Sequence, residues 1–157
     1  MTHQLAQLNI ATPRYPTDDP RMGGFMEALD RINALADATP GFVWRLVGEG
    51  TNNATDLRAA VGDTDVMVNM SVWDSREALW EYVYRSGHLD YLRRRNEWFA
   101  RPPGDFLVLW WVPRGHIPTV DEAVARLELL HRDGPTPAAF TFREHFPAPV
   151  PVSGSSA

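Results

Sequence analysis

Residues 66 to 73, VMVNMSVW, constrain this chain more than any other segment. In an extended strand successive side chains point to opposite faces, so Val66, Val68, Met70 and Val72 make one purely apolar face. Met67, Asn69, Ser71 and Trp73 make the other, which is mixed. Such a strand belongs in a sheet with core on one side and, on the other, a ligand or a helix with polar needs. Asp74-Ser75 then opens a helical stretch in which Trp80, Tyr84, His88, Tyr91, Arg95 and Trp98 recur at spacings of 4, 4, 3, 4 and 3. On a continuous helix these form one stripe. Aromatic rings interrupted by one imidazole and one guanidinium read as the wall of a pocket for a flat, largely apolar ligand. Ser86-Gly87 is expected to divide the helix, with Ser86 capping a second piece through about Phe99.

The flanking segments supply the rest of a sheet. Gln4 to Ile10 reads as a first strand, closed by Pro13, Pro16 and Pro20. Phe25, Leu29, Ile32 and Ala36 mark one face of a helix ended by Pro40-Gly41. Phe42 to Val47 is a second strand, and the polar, glycine-rich residues 48 to 65 form a long connection of the kind that is often functional or mobile. FLVLWWV, residues 106 to 112, is apolar enough to be a central strand. A loop holding His116 follows. Thr119 to Glu122 is a capping box, and Val120, Ala123, Val124, Leu127 and Leu130 give the next helix its apolar face. After Asp133-Gly134 comes a short apolar segment, Ala138 to Phe142. The order is β-α-β-β-α-β plus a C-terminal helix, an α+β, ferredoxin-like arrangement. One domain over 1–146 and a disordered tail over 147–157 are expected.

Composition removes several chemistries. At 157 residues, with 44% hydrophobic and 22% charged residues, the chain suits one soluble domain. It has no cysteine, which excludes thiolate nucleophiles and cysteine-ligated metals. It also has no lysine, all 15 basic residues being arginine, so side-chain Schiff bases are impossible. A GC-rich genome is the simplest source of that bias. Net charge is −5 and the only basic cluster is Arg93-Arg94-Arg95, too small a footprint for nucleic acid. Without a signal-like start or a run approaching the ~20 apolar residues of a membrane span, a cytoplasmic location is expected. His3, His88, His116, His131 and His145 show no metal-ligand spacing, and no phosphate-loop, dinucleotide or nucleophile-elbow motif is present.

Val72-Trp73-Asp74-Ser75-x-Glu77-Ala78-Leu79, followed by Ser86-x-His88, resembles the dimeric α/β-barrel superfamily that holds the antibiotic-biosynthesis monooxygenases. Trp110-Trp111-Val112-Pro113, Gly115-His116-x-Pro118-Thr119 and Gly134-Pro135-Thr136-Pro137-x-Ala139-Phe140-Thr141-Phe142 are similar to one bacterial branch of it, a domain family of unknown function. The resemblance covers most of residues 4 to 146. It implies a homodimer with facing sheets and, in each subunit, a pocket between sheet and helices. Members include cofactor-independent oxygenases of electron-rich polyketide rings, haem-binding or haem-degrading proteins, and cyclases or isomerases, so the fold does not choose the reaction.

Within that frame the expected catalytic residues are His88, Arg95, Asn69 and His116. His88, where the superfamily often has a pocket histidine, can deprotonate a phenol, ligate haem iron, or simply cap a helix beside Ser86-Gly87. Arg95 can stabilise a phenolate, an enolate or a carboxylate, or pair with surface acids. Asn69 can hold an oxyanion or satisfy a neighbouring backbone group. His116, on a loop after a strand, is the reserve histidine. Trp73, Trp80, Tyr84, Tyr91, Trp98 and Trp110 are the expected substrate-binding rings, although tryptophan is more often core. The expected partner is a small hydrophobic aromatic substrate, with no nucleic acid and no membrane. The expected reaction is oxygenation without cofactor, begun by substrate deprotonation. A non-redox cyclase or isomerase, a haem- or ligand-binding protein without turnover, and a purely structural dimer are the alternatives.

Overall fold

The computed structural model describes residues 2–48, 51, 53–62, 64–85, 93–101 and 104–150. Strand β1 (His3–Pro13) leads through a single 3-10 turn at Pro20–Met22 into α1 (Gly23–Ala38). Strands β2 (Phe42–Arg45), β3 (Arg58–Val61) and β4 (Thr64–Trp73) follow, then α2 (Arg76–Arg85). A short helical turn at Arg95–Trp98 runs into β5 (Phe99–Ala100), β6 (Leu107–Pro113) and finally α3 (Val120–Asp133). Helix α1 buries the expected Phe25, Leu29, Ile32 and Ala36, and with them Ala28 and Asn33.

All strand pairs are antiparallel. β4 and β1 lie at the centre, β2 and β3 share the far edge of β4, and β6 and β5 share the far edge of β1. That is the split βαβ order expected from the sequence, α+β and ferredoxin-like with an added C-terminal helix. Register sets what meets across the centre: Asn9 faces Asn69, Gln7 faces Ser71 and Leu5 faces Trp73. Because side chains alternate, the mixed face of β4 thereby meets a mixed face of β1.

Two expectations fail here. The 48–65 stretch is not all connection, since Arg58–Val61 pairs with the start of β4 as a hairpin. And β6 is an edge strand, pairing β1 alone among the named strands. Its outer edge is closed by the 138–142 segment, where Leu109 and Phe140 exchange backbone hydrogen bonds of 2.8 and 2.9 Å. Its apolar character reflects burial on both faces: Leu109 packs with Leu5, Trp73 and Phe140, and Trp110 and Val108 pack under α3.

The facing sheets implied by the family resemblance would leave the second sheet face to a partner subunit. Instead Ala123, Leu127 and Leu130 of α3 close over Ala6, Leu8, Val68, Met70, Val72, Val108 and Trp110, all but fully buried within the single chain. Helix α3 starts as expected, Thr119 Oγ1 accepting from the Glu122 N–H at 3.1 Å, and stops at Gly134, φ 73°. Among the described residues no helix is long and apolar enough to cross a membrane. Of the expected tail, residues 151–157 lie outside the described ones.

Candidate functional site

Between α1, α2 and the mixed sheet face lies a cavity of about 280 Å³, near the lower end of the ~300–1,000 Å³ usual for small-molecule sites. Its walls are apolar: Phe25, Leu29 and Ile32 from α1, Leu79 and Tyr82 from α2, and Met67, Trp73 and Phe99 from the sheet. Its floor is polar, formed by Gln7 and Asn9 of β1 and Asn69 and Ser71 of β4.

The floor is ordered by its own hydrogen bonds. Gln7 Nε2 donates to Asn69 Oδ1 at 3.0 Å and to Ser71 Oγ at 2.8 Å. Trp73 Nε1 also donates to Ser71 Oγ, at 2.8 Å. A hydroxyl has two lone pairs and one proton, so Ser71 has both lone pairs engaged and only its proton left to give. Asn69 has its carbonyl engaged and its N–H2 left to give. Neither donor group has a partner among the described residues. Two donors from one strand face, Ser71 with both lone pairs engaged and Asn69 oriented through its carbonyl by Gln7, suit an oxygen carrying or developing negative charge. Among the described residues that line the cavity the ionisable side chains are Arg45, Arg95, Tyr82 and Tyr84; there is no carboxylate and no imidazole. Of the two cations, Arg45 is paired with Asp37, its Nε donating to Oδ1 at 2.8 Å.

Arg95 stands at one end. Its Nη2 donates to the Ile10 carbonyl at 3.2 Å, and its guanidinium lies 4.4 Å from the Phe106 ring centre. It also lines a smaller cavity of about 140 Å³ beside Arg101 and His131, so it forms a wall common to both. Trp73 is fully buried and stacks on Tyr82, centroids 5.1 Å apart, while the Tyr82 hydroxyl donates to the Ile32 carbonyl at 3.2 Å.

The expected stripe is not one wall. Helix α2 buries Leu79 and Tyr82, and turns Trp80 and Tyr84 outward, 38% and 41% exposed. Those two rings pair with each other at 4.1 Å and meet Phe142. Tyr84 and Phe142 line the cavity and Trp80 does not, so this aromatic cluster marks the cavity's exposed side. Trp98 is buried against Phe25 in a separate core cluster. Trp110 does not line the cavity either. It lies on the opposite sheet face, its Nε1 donating to Glu122 Oε2 at 3.2 Å. His116 belongs there as well, bonded to Glu122 Oε1 at 2.8 Å, so it ties its loop to the start of α3 rather than closing over the cavity. Burial raises the Glu122 pKa, but the bonds from His116 and Trp110 outweigh it and hold the carboxyl below its usual range. His88 and Tyr91 lie outside the described residues.

The structure thus gathers Asn69, Arg95, Trp73 and Tyr84 around one cavity and sets Trp80, Trp98, Trp110 and His116 elsewhere. It adds Gln7, Asn9, Ser71, Asn33 and Tyr82. A signal for Gln7 and Asn9 was present, because LAQLNIA alternates like the mixed strand it pairs with. Among the described residues no group of three or more histidine, aspartate or glutamate side chains could hold a metal.

A family profile described as Domain of unknown function (DUF3291) matches residues 4–153. No curated protein matches at a significant level. Among solved structures, SnoaB of Streptomyces nogalater, a cofactor-independent oxygenase, is 16% identical with a TM-score of 0.42, over 78% of this chain and 100% of that one. Rv0793 of Mycobacterium tuberculosis is 19% identical at 0.44, over 74% and 98%. NE2512 of Nitrosomonas europaea, of unknown function, is 10% identical at 0.43, over 75% and 95%. These distant likenesses transfer no activity.

Proposed function

We propose that this chain, which belongs to the DUF3291 family, is a small cytoplasmic tailoring enzyme, working as a homodimer, that binds an aromatic, polyketide-like substrate between its helices and sheet. The observation that carries the reading is the pair of donors, the exposed Asn69 amide and the buried Ser71 hydroxyl, set in a largely apolar cavity with Arg95 at one end. An electron-rich phenol or enol bound there would present its oxygen to the floor and its rings to Trp73, Tyr82 and Phe25. Donors aimed at that oxygen stabilise the anion more than the neutral acid, which eases deprotonation. The deprotonated ring then reacts directly with dioxygen, without a cofactor. His88, assigned from the sequence alone, is the base.

The test is oxygen uptake with anthrone as probe. Asn69→Ala should lower turnover on the order of 10²-fold, the usual cost of one oxyanion donor, and His88→Ala about 10²–10⁴-fold. Undiminished turnover in Asn69→Ala would remove the donor role, and in His88→Ala the histidine base. Binding of anthrone without oxygen uptake would favour the cyclase or isomerase reading. A Soret band on haem addition, lost in His88→Ala, would favour a haem-binding protein.

A further inference from the structure

One polar side chain in the cavity has no role in the floor. Asn33 sits on the buried face of α1, between Leu29 and Ala36, and is only 7% exposed. It lines the cavity, and its amide has no hydrogen-bond partner among the described residues. Buried side-chain amides are nearly always paired, because leaving their water bonds unreplaced is costly. Nothing on α1 requires an amide there, since its neighbours on that face, Leu29, Ile32 and Ala36, pack as plain hydrocarbon. The missing partner therefore belongs to whatever fills the cavity.

Geometry narrows what that is. Asn69 and Ser71 approach the cavity from the sheet, and Asn33 from the helix layer laid over it. A ligand with one oxygen satisfies the floor and leaves Asn33 bare. We infer that Asn33 is a specificity-determining residue and that the cavity takes an aromatic oxygenated at two separate edges, one bound by the sheet donors and the other by the α1 amide. This rests on the aromatic-substrate reading above. The amide offers both a carbonyl and an N–H2, so the second group is either a hydroxyl or a ring carbonyl.

The experiment compares 1-naphthol with 1,5-dihydroxynaphthalene by calorimetry, on wild type and on the near-isosteric Asn33→Leu. Wild type should prefer the diol by roughly tenfold, the worth of one further buried hydrogen bond. Asn33→Leu should erase that preference, keep its affinity for 1-naphthol, and melt at a higher temperature than wild type. A preference that survives in Asn33→Leu, equal wild-type affinity for the two probes, or a lowered melting temperature would each overturn the inference and leave the aromatic reading standing. Failure of wild type to bind either naphthol would overturn both.

Discussion

Ser71 shows how a residue acquires a chemical direction from its neighbours. A serine hydroxyl is ambivalent in isolation, but the Gln7 amide and the Trp73 indole both donate to it and leave it a donor only. Trp73→Phe removes one of those bonds while conserving the ring. It should weaken binding of a phenolate more than of the parent phenol, because Ser71 regains a free lone pair that repels the anion. Equal losses for both would show that Trp73 acts by packing alone. A second local effect concerns acid. The Glu122 carboxyl, held low by His116 and Trp110, contributes stability that is present above the ordinary glutamate value of about 4.3 and lost as pH falls through its lowered folded value. Glu122→Gln should therefore be less stable than wild type near neutrality and converge with it in acid. A gap between their melting temperatures that is constant down to acid pH would rule this out.

Elements are placed by a few contacts that admit no substitute. Gly41 links α1 to β2 with φ 91°, and an added Cβ would lie 2.5 Å from the Ala78 Cβ of α2. Its carbonyl also accepts from the Asp74 N–H at 2.7 Å. Left-handed backbone and steric overlap act together at this position, so Gly41→Ala should cost about 2–3 kcal/mol in chemical denaturation. A cost below 1 kcal/mol would mean that α2 shifts freely. Helix α3 is fixed differently, by hydrocarbon. Leu127 is fully buried against the sheet, and Leu127→Ala should cost about 2–5 kcal/mol. Unprotected amides over residues 120–133 in hydrogen exchange would contradict this docking.

At the scale of the molecule, α3 changes the argument for assembly. The family resemblance implies a dimer with facing sheets, and the sheet face it would use is covered by the chain itself. A homodimer accordingly has to use other surface. Light scattering should give a two-chain mass with the amides of α3 still protected. A one-chain mass at micromolar concentration would remove the homodimer, and α3 losing protection on dilution would return the interface to the sheet.

The sequence by itself determined the order of the longer strands and helices and the two faces of residues 66–73, because alternation and 3.6-residue periodicity are local properties read directly from residue spacing; the short strands Arg58–Val61 and Phe99–Ala100 carry too little pattern to show. It also marked Asn69, Arg95 and Trp73, through polarity interrupting otherwise apolar patterns. What it missed depends on contacts between distant segments. Gln7 became part of the site only when register set it opposite Ser71. Trp110 and His116 left it only when α3 took the far face. Trp80 and Tyr84 turned outward because Leu79 and Tyr82 won the inner face of α2, a competition that spacing leaves open when both faces carry rings. Asn33 looked like any helical asparagine until burial without a partner set it apart. Register, layer and burial arise from the packing of segments far apart in the chain, so only the tertiary structure could decide them.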